Sequence, residues 1–290
     1  MYKTFDDYQA KHNFLICVDS DGCMFDTMEI KHKECFCPAT IQTWGLQAIS
    51  KYVREVWEFG NLYSIYRGQS RFIELCKTFC WLKHRADLIG YDFQYPDIAS
   101  FEALVSSGKT VNNSVLAELG KSDPVMQRAY EWSINCNQRI KEMVYNIPPF
   151  PFARESLAKA SQKADIVIVS ATATDALERE WTEHNLLQYV TLLCGQDAGT
   201  KKECISQLSK VYNPENILMI GDAWGDKVAA MASKANFYPI CPGKEVDSWK
   251  CFYNETLNVF LNGKYLDSYY QNILVDFENA LPDVLPWPTI

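Results

Sequence analysis

Asp19-Ser20-Asp21-Gly22 sets two carboxylates two residues apart, directly behind the apolar run Phe14-Leu15-Ile16-Cys17-Val18. Five apolar residues with no polar alternation read as a strand buried on both faces of a parallel sheet. The carboxylates then stand at its carboxyl end, where open α/β sheets place their ligands. Gly22 lets the chain turn away at once. One carboxylate so placed could attack phosphorus or bind a hard cation, and the other could move a proton. An isolated D-x-D-G is more simply a polar turn, but three later segments argue against that reading here.

The first of these ends the apolar run at 166–169 with Ser170-Ala171-Thr172, whose hydroxyls can donate to an anionic oxygen. Serine and threonine are also ordinary turn residues, so this signal is weak alone. The second is Lys201-Lys202, which opens a helix after Asp197-Ala198-Gly199-Thr200. A cation at a helix amino terminus opposes the dipole preference, and makes sense facing an anion or a cluster of carboxylates. The third is Gly221-Asp222-Ala223-Trp224-Gly225-Asp226, two more carboxylates leaving a strand end. Helix capping is the structural account of that pair taken alone. Taken together, four carboxylates, a lysine and a hydroxyl at strand ends of one sheet would converge. Without a counter-cation the carboxylates would repel each other. Mg²⁺ suits oxygen ligands at a site that also meets phosphate. It would neutralise the attacking carboxylate and the phosphoryl oxygens together. The lysine and serine would hold the phosphoryl group from the other side.

These residues need a sheet to align them. From residue 152 onward strand and helix alternate, with strands at 165–170, 189–194, 216–222 and 237–241 and helices at 153–160, 175–184, 201–211 and 227–233. With the first strand that makes five, the pattern of a doubly wound parallel α/β sheet. Residues 27–147 differ, with few strand-like runs and helical spacing at 46–59, 71–82, 98–105, 111–119 and 124–144. The last has Ser122-Asp123 as cap candidates and Pro124 at its first position. Asn146-Ile147-Pro148-Pro149-Phe150-Pro151 reads as a stiff, extended connector. The expected division is therefore a core of residues 1–26 and 148–290 with an all-helical insert at 27–147. The tail from about 242 has an apolar face through Leu257, Phe260 and Leu261 and ends in Pro282, Pro286 and Pro288. It is expected to pack on the core.

A chain of 290 residues, 48% hydrophobic and 22% charged, suffices for one large core or a core with a second lobe. The net charge of −8 without a Lys/Arg block argues against a nucleic-acid partner. The apolar runs are too short to cross a bilayer, so no membrane partner is expected. The amino-terminal Met-Tyr-Lys-Thr-Phe-Asp-Asp does not read as a signal peptide. The 11 cysteines form no Cys-x-x-Cys, and the lone Cys35-Phe36-Cys37 has no second pair to complete a zinc site. They read as reduced thiols, which places the protein in the cytoplasm.

In order, these segments resemble the four motifs of the haloacid dehalogenase-like phosphohydrolase superfamily. Val18-Asp19-Ser20-Asp21-Gly22 with Phe25-Asp26 is similar to the first motif and its flap, and Val167-Ile168-Val169-Ser170 to the second. Lys201 matches the third, and Ile220-Gly221-Asp222-Ala223-Trp224-Gly225-Asp226 the fourth. Phe150-Pro151-Phe152-Ala153-Arg154-Glu155-Ser156-Leu157 resembles the return from the cap in phosphoglycolate phosphatase-like members. The resemblance covers about residues 13–26 and 148–250. It implies a Rossmann-like core with an inserted helical cap. It also implies roles. Asp19 would be the nucleophile that forms an aspartyl-phosphate. Asp21 would protonate the leaving group and then activate water. Asp19, the Asp21 carbonyl, Asp222 and Asp226 would surround Mg²⁺, and Ser170 and Lys201 would bind the phosphoryl oxygens. Lys202 is the alternative to Lys201, which Ile205 and Leu208 at plus four and plus seven favour. Asp26 reads as a turn residue. Dehalogenases and phosphonatases of the family lack the second Asp, so Asp21 points to phosphoester hydrolysis or phosphomutase chemistry. At about 120 residues the insert exceeds the usual small helical cap. In its loop Arg67-Gly68-Gln69-Ser70-Arg71, either Arg67 or Arg71 could reach an anionic group on a substrate, unless this is a solvated surface loop. The expectation is a Mg²⁺-dependent phosphatase acting on a small phosphorylated metabolite. A phosphomutase of the β-phosphoglucomutase type shares every motif. A non-catalytic binding protein on this scaffold is a third reading, against which the intact Asp19 and Asp21 pair speaks.

Overall fold

Five strands, β1 (Phe14–Val18), β2 (Ala164–Val169), β3 (Leu192–Cys194), β4 (Ile217–Gly221) and β5 (Asn236–Pro239), form one all-parallel sheet. They are seen in a computed structural model that describes residues 4–265 and 267–290. The spatial order is β3-β2-β1-β4-β5. The chain moves out from β1 through β2 to β3, then crosses back to β4 and β5 on the other side. The strand order therefore reverses between β1 and β4, and a crevice opens there at the carboxyl ends. Val18 is in register with both Ile168 and Ile220, so β1, β2 and β4 end at one level.

Successive residues of each strand face opposite layers. Ile16, Val18, Ile166, Ile168, Leu218 and Ile220 pack on one side. Leu15, Cys17, Val167, Val169, Ile217 and Met219 pack on the other. Both faces are covered, which is why the strands read as unbroken apolar runs rather than alternating ones. The first face is closed by Leu157 of helix Ala153–Ala160, Leu177 and Trp181 of helix Thr174–Glu183, and Trp249 of helix Glu245–Cys251. Ile205 and Leu208 of helix Lys201–Leu208, Ala230 of helix Trp224–Ala232 and Phe277 of helix Asp267–Ala280 close the second. This is a doubly wound α/β sheet of Rossmann-like architecture. Burial of each large apolar side chain contributes about 1.5–3 kcal/mol.

The chain divides into two compact units, one running up to Met28 and from Asn146 to Leu281, the other comprising Glu29–Tyr145 and Pro282–Ile290. The second unit is helical. Its helices Ser50–Leu62, Arg71–Lys83, Ala99–Ser106, Asn113–Leu119 and Pro124–Met143 surround the fully buried Trp57, Phe79, Phe101 and Trp132. The Asp123 carboxylate caps the last helix by accepting from the Val125 and Met126 N–H groups at 2.8 and 3.3 Å. The segment Thr27–Trp44 is helical as well, which the apolar spacing does not predict. A π-helical stretch at Lys31–Phe36 shifts the register of side chains, and Pro38 reads as a breaker although it sits in the first turn of Cys37–Trp44.

The tail corrects the expectation that residues 242–290 all pack on the core. Leu257, Phe260 and Phe277 do join the layers beside the sheet. The last nine residues instead belong to the helical unit, where an aromatic pocket holds them. Trp287 is buried there, edge-on to Phe59 with centroids 5.3 Å apart and near Trp81 at 6.1 Å, under the Arg85 guanidinium at 4.9 Å. Backbone bonds fix the strand-like end: Ala86 N–H donates to the Pro288 carbonyl and Ile290 N–H to that of His84, both at 3.0 Å. The apolar periodicity of the tail does not reveal this, because Trp287, Leu285 and backbone hydrogen bonds hold the end without a repeating apolar face.

Candidate active site

The site is built at the reversal between β1 and β4. Asp19 extends the ladder one step past β1, its N–H donating to the Ile220 carbonyl at 3.0 Å. Its side chain is 5% exposed. One oxygen, Oδ1, accepts from the Ser20 N–H at 2.8 Å, and the other lies 2.7 Å from Lys201 Nζ. The chain then reverses through Gly22, whose φ of 74° is left-handed. Gly22 N–H donates to the Phe25 carbonyl at 2.8 Å, which closes a tight flap. Phe150 N–H donates to the Met24 carbonyl at 2.9 Å and ties the flap to the returning connector.

Lys201 opens helix Lys201–Leu208. Thr200 caps that helix by accepting from the Glu203 N–H, while Glu203 accepts from the Thr200 N–H at 2.8 Å. The capped turn aims the Lys201 ammonium between two carboxylates, Asp19 at 2.7 Å and Asp226 at 2.6 Å. Lys202, one residue on, is exposed. Between these two lysines the geometry selects Lys201 as the partner of the carboxylates. Burial alone would discharge it, but Asp19 and Asp226 hold the ammonium form well above its ordinary range. Burial pushes the Asp19 carboxyl up to about 6, with Lys201 pulling down and Asp226 pushing up. Burial likewise raises Asp226.

Asp222 and Asp226 follow β4 and are both buried. The Asp226 Oδ2 accepts from the Ala223 N–H at 3.1 Å. One oxygen from each of Asp19, Asp222 and Asp226 lies within 4.8 Å of the others. Three carboxylates against one ammonium leave an excess of negative charge in a buried place. An all-oxygen donor set of this kind fits a hard divalent cation such as Mg²⁺.

Asp21 is held from two sides. Thr172 Oγ1 donates to its Oδ2 at 2.7 Å, and Thr27 Oγ1 donates to its Oδ1. Ser170, buried at the end of β2, donates its N–H to the Cys194 carbonyl at 3.0 Å and accepts from the Thr172 N–H at 3.3 Å. Asp26 is exposed, as a turn residue of the flap. The sheet unit thus brings Asp19, Asp21, Ser170, Lys201, Asp222 and Asp226 to one end of the sheet. Arg67 and Arg71 belong to the helical unit. Arg67 is 5% exposed and donates to the Leu62 carbonyl at 3.0 Å, so it is not the solvated loop residue its setting allows. Arg71 donates to Asn137 Oδ1 at 2.7 Å.

Sequence reasoning missed Thr27 as a partner of Asp21, and also Glu180 and Trp181 beside Ser20. Thr27 lies six residues past Asp21 and carried a signal in its nearness to the turn. Glu180 and Trp181 lie 160 and 161 residues from Ser20, on a helix whose polar spacing gives no hint of them.

No family model and no curated protein matches the chain. Several solved structures are similar to it. One is a hydrolase from Pseudomonas syringae, 14% identical, with 82% of this chain and 90% of that chain covered and a TM-score of 0.47. Another is a haloacid dehalogenase-like family hydrolase from Streptococcus pneumoniae, 14% identical over 82% of this chain and 90% of that one, with a TM-score of 0.43. A third is a HAD-superfamily hydrolase, subfamily IA, from Geobacter sulfurreducens, 16% identical over 79% and 88%, with a TM-score of 0.40.

Proposed function

We propose that this chain is a Mg²⁺-dependent phosphatase of the haloacid dehalogenase-like kind, acting on a small phosphorylated metabolite. The observation that carries the reading is Lys201 set between Asp19 and Asp226, with Asp21 two residues beyond Asp19 on the same flap. A nucleophile, a phosphate-binding cation and a second carboxylate with a separate hydrogen-bond shell all meet at one crevice.

In this reading Asp19 attacks phosphorus and the bond from phosphorus to the ester oxygen breaks. Asp21 gives its proton to the departing oxygen, exchanging a threonine hydrogen bond for one to the leaving group. An aspartyl-phosphate on Asp19 results. Asp21, now a base, takes a proton from water whose oxygen attacks phosphorus, and the bond to Asp19 breaks with release of inorganic phosphate. Lys201 and Ser170 hold the phosphoryl oxygens throughout. Asp19, Asp222 and Asp226, with the Asp21 carbonyl, would hold Mg²⁺, which supplies charge neutralisation between nucleophile and phosphoryl group. The helical unit, inserted between the flap and its returning connector, would serve as the substrate-selecting cap, with Arg67 and Arg71 as its anion-binding candidates. All 11 cysteines are free, which suits a reducing compartment such as the cytoplasm. Among the described residues no helix is long and apolar enough to cross a membrane.

The test is phosphate release from p-nitrophenyl phosphate and from a panel of sugar, nucleotide and small-acid phosphates, with Mg²⁺ and with EDTA. Release that needs Mg²⁺ and vanishes in Asp19→Asn is the expected result. Normal turnover in Asp19→Asn would overturn the nucleophile assignment. A folded chain that binds Mg²⁺ but frees no phosphate from any ester would turn the reading to a phosphomutase or to a binding role.

A further inference from the structure

We propose that Ser20, Trp181 and Glu180 form a clamp that positions the Asp19–Asp21 loop for the reaction assigned above. The inference rests on that reading for its kinetic part and on geometry for the rest. Ser20 stands between the two carboxylates and is fully buried. Each of its polar atoms is engaged. Its N–H donates to Asp19 Oδ1 at 2.8 Å. Its carbonyl accepts from the Met24 and Phe25 N–H groups at 2.8 and 3.2 Å. Its hydroxyl donates to Glu180 Oε2 and accepts from Trp181 Nε1, both at 3.0 Å.

Backbone bonds alone would close the flap, so the hydroxyl adds something else. An apolar side chain could fill this buried position without needing partners, whereas a buried hydroxyl left alone costs free energy. Here it has two partners, and both lie on helix Thr174–Glu183. That helix starts two residues after Thr172, whose hydroxyl holds Asp21 at 2.7 Å. Successive residues of the catalytic loop are therefore fastened to two places on one loop-and-helix element, Asp21 at its start and Ser20 near its end. Trp181 is itself immobilised, fully buried and edge-on to Phe25 of the flap with centroids 5.7 Å apart. The indole thus touches the loop twice, through its nitrogen and through its ring. The Ser20 hydroxyl bonds Glu180 and Trp181 rather than either catalytic carboxylate, so through it Ser20 acts as a positioning residue. It fixes the direction in which Asp19 and Asp21 present their oxygens, and small misplacements of such groups are costly in rate.

The experiment compares Ser20→Ala, Trp181→Phe and the double variant in the full chain. It reads kcat and KM on p-nitrophenyl phosphate, and amide hydrogen exchange at Met24 and Phe25. Ser20→Ala should lower kcat roughly tenfold, within the worth of the two buried hydrogen bonds it removes, with KM within about twofold. The double variant should be little worse than Ser20→Ala, because the hydrogen bond that Trp181→Phe removes is already gone in Ser20→Ala. Glu180→Gln, which keeps an acceptor oxygen, should retain more activity than Glu180→Ala. The Met24 and Phe25 amides should exchange faster in Ser20→Ala while those of β4 do not change. Wild-type kcat in Ser20→Ala, or fully additive losses in the double variant, overturns the clamp. A wild type without phosphatase activity sinks the functional reading instead. The clamp is then decided by the two amides alone, faster exchange supporting it and unchanged exchange refuting it.

Discussion

A side chain at Gly221 would overlap the carboxylate of Asp226, because the position its Cβ would take lies against that carboxyl carbon and Oδ2. Glycine ends β4 here for reasons of space, so that Asp226 can fold back over the strand and reach Lys201. Gly221→Ala should push Asp226 out of line and release Lys201 from one of its two partners. The expected loss is on the order of 100-fold in kcat, comparable to losing one preorganised charged group, with a loss of stability of about 1–3 kcal/mol. Steady-state phosphate release and a thermal melt read the two effects, and calorimetric titration with Mg²⁺ should show weaker binding.

The two adjacent lysines should separate cleanly. Lys201 sits between two carboxylates, while Lys202 is exposed. Lys201→Ala should lower kcat/KM by roughly 100-fold or more. It also leaves two buried carboxylates facing each other without their cation, so the Tm should fall unless Mg²⁺ is added. Lys202→Ala should stay within about twofold of the parent, as surface substitutions do. Equal losses in the two variants would refute the assignment.

Asp21→Asn keeps both threonine contacts sterically possible but removes the transferable proton. Turnover of alkyl phosphates should fall further than that of aryl phosphates, whose leaving groups need less protonation. A loss of the same factor on both classes, measured on matched esters, would count against Asp21 as the acid.

Glu74 supplies a pH dependence unrelated to the site. It is fully buried in the helical unit, and neither carboxylate oxygen has a hydrogen-bond partner among the described residues. Burial pushes its carboxyl up to about 8, against the weaker pull of Lys77. The folded chain therefore holds this proton more tightly than the unfolded chain, whose ordinary value is 4.5. Stability should decline as pH rises from about 4.5 to about 8 and then level off, by on the order of 4–5 kcal/mol at most. Glu74→Gln should flatten that slope. Thermal melts at pH 5, 6.5 and 8 provide the check, and parallel slopes in the two proteins would show that Glu74 is not the source.

The sheet was legible because both of its faces are buried. Uninterrupted runs such as Ile166-Val167-Ile168-Val169 have no other easy explanation in a chain that alternates with helices. The carboxylates were legible because they sit at the ends of those runs, so that locating the strands locates Asp19, Asp21, Asp222 and Asp226 as well. What surrounds them was less visible. The Ser20–Trp181 contact spans 161 residues and involves residue types with many other uses. Thr27–Trp44 escaped notice because a π-helical stretch interrupts the period on which helix recognition depends. The tail docks through Trp287, Leu285 and backbone hydrogen bonds, and periodicity signals none of these.

The placement of that tail changes what it means to call the helical unit an insert. The chain passes from one unit to the other after Met28, after Tyr145 and again after Leu281. A protein engineer who exchanged residues 29–145 for the corresponding segment of another protein would leave Trp287 without Phe59, Trp81 and Arg85. The transplantable part is therefore two pieces of sequence, one internal and one terminal. They must be inherited together, and a length change in either piece is constrained by the other.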